Sequence, residues 1–176
     1  FGFKKKSSTI HAVYSLKETI NHYIDNGSRV FCAFLDFSKA FDRLVHSGLF
    51  LKLISRGVPK LFLDIIIFWY SDLKCRVKWN NTHSVWFHVK AGVPQGGILS
   101  PDFYCLYVED LISILKSKNV GCHILSVFVA ALIYADDVAL LSPSLKGLCI
   151  LLDATYEYCT EWDICLNARK SKLMYF

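Results

Sequence analysis

Two adjacent aspartates, Asp136 and Asp137, interrupt a mostly apolar stretch of the chain. Residues 125–133 precede them and residues 138–141 follow, and both segments are typical of strands. Carboxylates in apolar surroundings are costly unless something compensates their charge. A tight hairpin with both aspartates at its tip could present them to a divalent cation, since Mg²⁺ prefers carboxylate oxygens and nucleotide phosphates can complete its shell. The pattern indicates metal-dependent phosphoryl or nucleotidyl transfer; the alternative is an ordinary polar turn.

Composition limits the chain to a folded, mildly basic domain. The 176 residues are 53% hydrophobic with a mean hydropathy of +0.34, which excludes a disordered chain and favours a single core. The longest apolar runs, 61–70 and 127–135, are too short to span a bilayer, and no secretory signal pattern opens the sequence. A net charge of +5 is compatible with nucleic-acid binding. The basic clusters at 4–6 and 169–172 could equally be solvated surface.

Cysteine and histidine spacing indicates neither a disulfide framework nor a zinc site. The seven cysteines are an odd number, none is in Cys-x-x-Cys spacing, and most have apolar neighbours. The six histidines form no His-x-x-x-His pair. The cysteines are therefore expected to act as small hydrophobic residues in a reducing compartment, the cytoplasm or the nucleus.

Periodicity and turn residues predict strands flanked by helices, an α+β sandwich with the helices packed on one face of the sheet. Ser8 or Thr9 is expected to cap the first helix, which Asn26 and Gly27 end. Predicted helices cover about 10–25, 44–56, 59–70, the segment from the 92–97 loop to 116, and 145–162. Predicted strands cover 29–36, a hairpin of 74–79 with 84–89, the two strands of the aspartate hairpin, and 173–176.

A third acidic residue and a glycine-rich loop extend the candidate site. Asp36 is predicted at the end of a strand, where it would meet the Asp136–Asp137 turn if the strands are neighbours in one sheet. Three converging carboxylates could hold two magnesium ions. Residues 94–97 combine Pro94 and Gln95 with two glycines that allow a ligand to approach the backbone closely, although an ordinary turn before a helix has the same composition.

Five segments resemble, in order, the motifs of reverse transcriptases, and they are closest to those of non-LTR (LINE-type) retrotransposons. The segments are FGFKKKSST (1–9), FLDFSKAFD (34–42), GVPQGGILSP (92–101), YADD (134–137) and LNARKSK (166–172). The first resembles the end of the fingers, and the others resemble four successive motifs of the palm. The resemblance covers nearly the whole chain.

The resemblance implies the palm of a right-hand polymerase, an antiparallel sheet with helices on one face. Residues 1–28 would end the fingers and 29–176 would form the palm of a single reverse transcriptase domain fragment. The implied activity is RNA-directed DNA polymerisation, with dNTPs added to a primer 3′-hydroxyl through Mg²⁺, for which Mn²⁺ can substitute. The implied partners are an RNA template, a DNA primer and dNTPs, with no membrane. The remaining fingers, the thumb and an endonuclease would belong to a longer polyprotein.

The resemblance also assigns roles to individual residues. Asp36, Asp136 and Asp137 would ligate the metal, together with the backbone carbonyl of Phe37, and Lys170 would stabilise the leaving pyrophosphate or donate a proton to it. The other assignments concern the nucleotide and the primer–template: Phe41 as a steric gate under the sugar, Gln95, Gly96 and Lys4 at the incoming nucleotide, and Tyr134 and Pro94 at the primer–template. From the residues alone, Phe41 could instead be a core aromatic and Lys170 a surface lysine.

Three positions depart from the family's pattern. Lys4 replaces the usual arginine and loses its bidentate fork, Ser7 replaces a basic residue, and Cys105 replaces an asparagine. These departures leave an alternative function, that of a catalytically inactive retroelement remnant that binds nucleic acid or another protein. An intron maturase is a further palm enzyme with which the motifs agree.

Overall fold

The computed structural model describes residues 7–176, which form two compact units. The first unit contains residues 7–40 and 108–176, and the second contains residues 41–107. The helices are α1 (Thr9–Asp25), α2 (His46–Ser55), α3 (Lys60–Ser71), α4 (Ser100–Ser117) and α5 (Leu145–Glu161). The strands are β1 (Phe31–Ser38), β2 (Lys74–Cys75), β3 (Lys78–Trp79), β4 (Thr82–His83), β5 (Phe87–His88), β6 (His123–Ile124), β7 (Val127–Phe128), β8 (Ala131–Tyr134), β9 (Asp137–Ser142), β10 (Cys165–Leu166) and β11 (Lys172–Tyr175).

The first unit is built on an antiparallel sheet with β1 at its centre. β1 pairs with β9 over six residue pairs, from Phe31 opposite Ser142 to Asp36 opposite Asp137. β8 pairs with the far side of β9, and β10 and β11 both pair with the other side of β1. Every pairing is antiparallel, as expected for this α+β fold.

The two faces of the sheet contact different helices. Ala33, Leu35 and Phe37 alternate along β1 and pack with buried residues of α5 and of the C-terminal part of α4, so the prediction of helices on one face is confirmed for these two. On the other face, Cys32 packs with Ile20 of α1. This contact leaves the end of the second face, at Asp36, outside the apolar cluster.

The second unit is organised around the α2–α3 pair and an aromatic group. His46 contacts the buried Tyr70 ring edge-on at 4.8 Å, and Phe50 and Phe103 also lie against that ring. The His46 Nε2 atom lies 2.8 Å from the Gly92 carbonyl oxygen, which ties α2 to the loop before α4.

Several local predictions need correction. Asp36 does not end its strand, because β1 continues to Ser38 through its pairing with β10. The apolar stretch 125–133 is not one strand: Leu125 adopts φ +53°, and β6 and β7 form a separate hairpin before β8. Ser8 occupies the N-cap of α1, but its side chain makes no capping hydrogen bond.

The predicted ends of two helices are confirmed. Asn26 is the C-cap of α1, and Gly27 and Gly57 have the positive φ expected just after a helix. None of the seven cysteines, all of which lie within the described residues, forms a disulfide. Burial raises the pKa of Cys32 and Cys122 to about 12. Within residues 7–176, none of the helices is both long enough and apolar enough to cross a membrane.

Candidate active site

The β8–β9 hairpin places the two adjacent aspartates at its tip. Tyr134 and Asp137 are the last pair of the ladder, so Ala135 and Asp136 form a two-residue turn. Ala135 has φ +52°, a left-handed conformation that a side chain disfavours and that is found at tight turns and functional sites. Asp136 therefore lies in the turn, and Asp137 is the first residue of β9.

Strand pairing brings Asp36 to the same place. Asp36 lies directly opposite Asp137 in the β1–β9 ladder, so both side chains point to the same face of the sheet. The Phe37 N–H donates to the Asp136 carbonyl at 3.3 Å, which fixes the turn against β1. The Phe37 side chain is buried on the opposite face and anchors this part of the strand.

The segment between β10 and β11 wraps around the backbone of Asp36. The Asn167 N–H donates to the Asp36 carbonyl at 2.8 Å, and the Asp36 N–H donates to Ser171 Oγ at 3.4 Å. These bonds bring Lys170 Nζ within 3.6 Å of Asp36 Oδ1, while the Lys170 side chain stays 70% exposed. The lysine is therefore anchored beside the carboxylates and is still accessible to a ligand.

The electrostatics of the site are dominated by its negative charges. The pKa of Asp137 is raised, first by desolvation of its carboxyl group and then by the nearby charges of Asp136 and Asp36. Lys170 acts in the opposite direction and lowers this pKa. Asp36 and Asp136 are thus close enough to repel the ionised Asp137 carboxylate, and a bound cation would relieve that repulsion.

A cavity of about 480 Å³ opens beside these residues within the first unit. Asp36, Asp137, Lys170 and Tyr134 line it. Apart from Thr9, the rest of its wall is apolar and comes from α1, β1, β8 and β9. The structure therefore brings two of the three predicted aspartates, the predicted lysine and the predicted primer-side tyrosine to one cavity.

The donor set suits a divalent cation that shares its shell with a substrate. Carboxylate oxygens are ligands of the kind that Mg²⁺ and Mn²⁺ prefer. Within residues 7–176, no group of three or more His, Cys, Asp or Glu side chains converges closely enough to hold a metal by itself. Magnesium commonly uses one or two carboxylates together with substrate phosphates. One or two carboxylates from Asp36, Asp136 and Asp137, together with substrate phosphates, would fit that mode of binding.

Three of the four nucleotide-binding residues predicted from the sequence, Phe41, Gln95 and Gly96, lie in the second unit. The Phe41 ring stacks on the buried Tyr104 ring with centroids 4.6 Å apart, so Phe41 is half-buried and held in one orientation. Gln95 is exposed, and its Nε2 donates to Asp42 Oδ1 at 3.1 Å. An ionised carboxylate only accepts hydrogen bonds, so the Gln95 amide nitrogen is the group that faces Asp42. The Gln95 side-chain oxygen therefore points away from Asp42 and can accept a hydrogen bond from a ligand.

Backbone contacts hold the loop 92–97 in shape. The Gly92 N–H donates to the Leu44 carbonyl at 2.7 Å, and the Val93 N–H donates to the Phe41 carbonyl at 2.8 Å. A side chain at Gly92, which has φ +88°, would meet the Asp42 carbonyl oxygen at 2.7 Å. Ser100 Oγ donates to the Pro94 carbonyl at 2.6 Å, and the exposed Gly96 has φ +84°. The loop thus depends on glycine for a close approach and a left-handed turn.

Ser171 and Asp42 are among the residues that contact candidate site residues in the structure and that were given no role from the sequence. Ser171 bonds the Asp36 backbone, and Asp42 orients Gln95. Both residues lie inside segments that resemble motifs of the family, and this position is the sequence feature from which a role could have been predicted. Lys4 lies outside the described residues.

Solved structures that share this fold include telomerases. The apo telomerase of Candida tropicalis superposes with a TM-score of 0.69 over 96% of this chain and 32% of its own length, at 13% identity. The telomerase of Candida albicans, solved with a fragment of telomeric RNA, gives 0.67 over 96% and 30% at 17% identity. At these identities the likeness concerns the fold, which is that of a reverse transcriptase palm.

The sequence identifies the family. The family model for reverse transcriptase (RNA-dependent DNA polymerase) matches residues 1–175. The probable RNA-directed DNA polymerase from transposon BS of Drosophila melanogaster is 30% identical over 178 residues, covering 97% of this chain. The Pol polyprotein of the retrotransposable element R2DM from the same fly is 33% identical over 140 residues, covering 80%. The chain belongs to the reverse transcriptase family, and its relatives are polymerases of non-LTR retrotransposons. It spans 19% and 13% of the lengths of those two relatives.

Proposed function

We propose that this chain is the palm of an RNA-directed DNA polymerase and that Asp36, Asp136 and Asp137 form its catalytic centre. The observation that carries the proposal is the pairing of Asp36 opposite Asp137, beside the Asp136 turn and within reach of Lys170. We infer that residues 1–28 end the fingers and residues 29–176 form the palm. The parent protein would act in the cytoplasm or nucleus on an RNA template, a DNA primer and dNTPs.

Each residue of the centre has a distinct task in nucleotidyl transfer. The three carboxylates would hold Mg²⁺ or Mn²⁺, with the Phe37 carbonyl as a further ligand. When bound, two such ions would promote deprotonation of the attacking 3′-hydroxyl and offset the charge of the departing pyrophosphate. Lys170, anchored beside Asp36 yet exposed, would place its ammonium group against that pyrophosphate or supply its proton. Tyr134 would border the primer end.

Four further residues would contact the nucleotide or the primer–template. The Gln95 side-chain oxygen, which points away from Asp42, would accept a hydrogen bond from a hydroxyl or amino group of the ligand. Gly96 would let the backbone approach the ligand, and Pro94 would contact the primer–template. Phe41, held by its stack on Tyr104, would exclude a 2′-hydroxyl and so select dNTPs.

Primer extension on an RNA template with dNTPs and MgCl₂ tests the proposal. The chain should extend the primer, and Asp136→Asn should reduce the rate at least about 100-fold, because one charged ligand of the centre is lost. Asp153→Asn on α5 is the matched control, since it removes an exposed carboxylate outside the site. A folded chain that extends no primer under Mg²⁺ or Mn²⁺ would contradict the proposal and favour the inactive, nucleic-acid-binding alternative.

A further inference from the structure

The segment 73–90 of the second unit forms an exposed hairpin with one irregularity. Lys78 pairs with His83 and Cys75 pairs with Phe87, so the register changes by one residue between these pairs. The Ser84 N–H donates to the Val77 carbonyl at 2.9 Å, so the change lies between this pair and the Cys75–Phe87 pair, and Arg76 is opposite both Val85 and Trp86. This is a β-bulge, which twists a strand and redirects its side chains.

The hairpin has one strongly basic face. Lys74 of β2, Arg76 between the two strands and Lys78 of β3 are alternate residues of the first arm of the hairpin and therefore point to the same side. Their cross-strand neighbours on that side include His88, opposite Lys74, and His83, opposite Lys78. All five residues are exposed.

The bulge brings an aromatic ring to this basic face. The Arg76 guanidinium carbon lies 4.8 Å from the centre of the Trp86 ring, a cation–π contact. Trp86 is still 59% exposed, so part of its ring is open to a ligand. Trp79 is 77% exposed, but it pairs with Thr82 and points to the opposite side of the hairpin.

Charge favours a polyanion on this surface. Residues 73–90 contain Lys74, Arg76, Lys78 and Lys90 and no aspartate or glutamate. The adjacent Asp72 forms an ion pair with Lys74 at 2.7 Å. This ion pair does not neutralise the charges of Arg76 and Lys78, which lie farther along the hairpin. A row of cations beside an open aromatic ring is the combination that binds phosphates and stacks bases together.

We propose that the basic face of the hairpin binds single-stranded nucleic acid, with a base stacked on Trp86 and phosphates held by Arg76 and Lys78. An acidic peptide would pair with the positive charges, but its carboxylates would not stack on the Trp86 ring. The base of the hairpin reaches the loop of Gln95, since Cys75 and Gln95 line the same small cavity within the second unit. This inference deepens the proposed function, because a strand held there would continue toward the nucleotide-binding loop.

Fluorescence anisotropy with a labelled RNA of about 12 nucleotides, in EDTA, tests the proposal. Trp86→Ala should weaken binding by about 5- to 100-fold, and Trp86→Phe should restore most of the affinity, because stacking needs a ring. Arg76→Gln and Lys78→Gln should each reduce the slope of log affinity against log salt by about 0.7. A single-stranded DNA of the same sequence shows whether the hairpin prefers RNA, as in the template, or DNA, as in the primer. Tight binding of either the RNA or the DNA supports the proposal.

Matched variants separate this site from the polymerase centre and from general charge effects. Trp79→Ala removes a tryptophan from the other side of the hairpin, and Lys118→Gln removes an exposed charge from another element; both should leave the affinity within about twofold. Asp136→Asn should bind RNA like the unmodified chain, whether or not the chain polymerises. The proposal is overturned if Trp86→Ala binds as tightly as the unmodified chain, if Trp79→Ala weakens binding equally, or if inorganic polyphosphate competes as well as RNA per charge.

Discussion

Asp137→Asn should stabilise the metal-free chain, although the same substitution should abolish nucleotidyl transfer. In β1 and β9, Asp36 and Asp137 are directly opposed, and the nearby Asp136 adds a third negative charge. Without a cation, Asp36 and Asp136 repel the ionised Asp137 carboxylate. Asparagine keeps nearly the same shape and removes the charge of the residue whose pKa is raised by its surroundings.

The size of the effect follows from the cross-strand contact. A like-charge pair directly opposite in a sheet is destabilising by about 0.2–1 kcal/mol. Loss of the favourable interaction with Lys170 offsets part of this gain. For a chain of this length, a gain in that range corresponds to an increase in Tm of about 0.5–4 °C.

The gain in stability of Asp137→Asn should depend on pH. Because the folded-state pKa of Asp137 is above its ordinary value of 3.8, ionisation of this group destabilises the fold, and the penalty is fully present only above the raised pKa. The penalty disappears as the pH falls through that pKa toward 3.8. The difference in Tm between the two chains should therefore be largest near neutral pH and shrink under acid conditions.

Thermal unfolding by circular dichroism, in EDTA and at low salt because surface charges are screened by ions, measures this difference. Asp153→Asn on α5 is the control for removing one exposed negative charge. A lower Tm for Asp137→Asn than for the unmodified chain at pH 7 would refute the reasoning. A gain that does not change with pH would also refute it, since the cause would then not be the ionised carboxylate.

Three further predictions concern packing and positioning. Leu140→Ala in the buried face of β9 should lower the free energy of unfolding by about 2–5 kcal/mol in urea titrations, and a loss below about 1 kcal/mol would contradict the packed core described. Gly92→Ala should destabilise the chain by at least about 2 kcal/mol more than Gly57→Ala, because both glycines have positive φ but only Gly92 lies against backbone atoms of another segment; equal losses would exclude that contact. Asp42→Asn should shift the side-chain amide NMR signals of Gln95, since asparagine can donate as well as accept and no longer fixes one amide orientation; unchanged signals would show that the bond does not form in solution.

Features that depend only on neighbouring residues are well predicted from the sequence. Gly27 and Gly57 mark helix ends because their conformation is local, and α5 begins and ends within a residue of its predicted bounds. The Asp136–Asp137 hairpin is likewise a local signal. The motif resemblance added the family, the palm fold and the expected neighbours of the aspartates.

Features that depend on distant pairing could not be predicted from residue patterns. β10 contains only two residues, and its pairing with β1 extends that strand past Asp36. The bond between Asp42 and Gln95 joins residues 53 positions apart. The bulge opposite Arg76 depends on a one-residue change of register that alternation alone does not reveal.

Mn²⁺ titration followed by electron paramagnetic resonance tests the central claim, that the three aspartates form a divalent-cation site. The unmodified chain should bind Mn²⁺, and Asp36→Asn, Asp136→Asn and Asp137→Asn should each weaken binding at least about tenfold. Asp153→Asn should bind as the unmodified chain does. Equal Mn²⁺ affinity in all five chains would contradict the account, because the carboxylates would then not hold the metal on which the proposed chemistry depends.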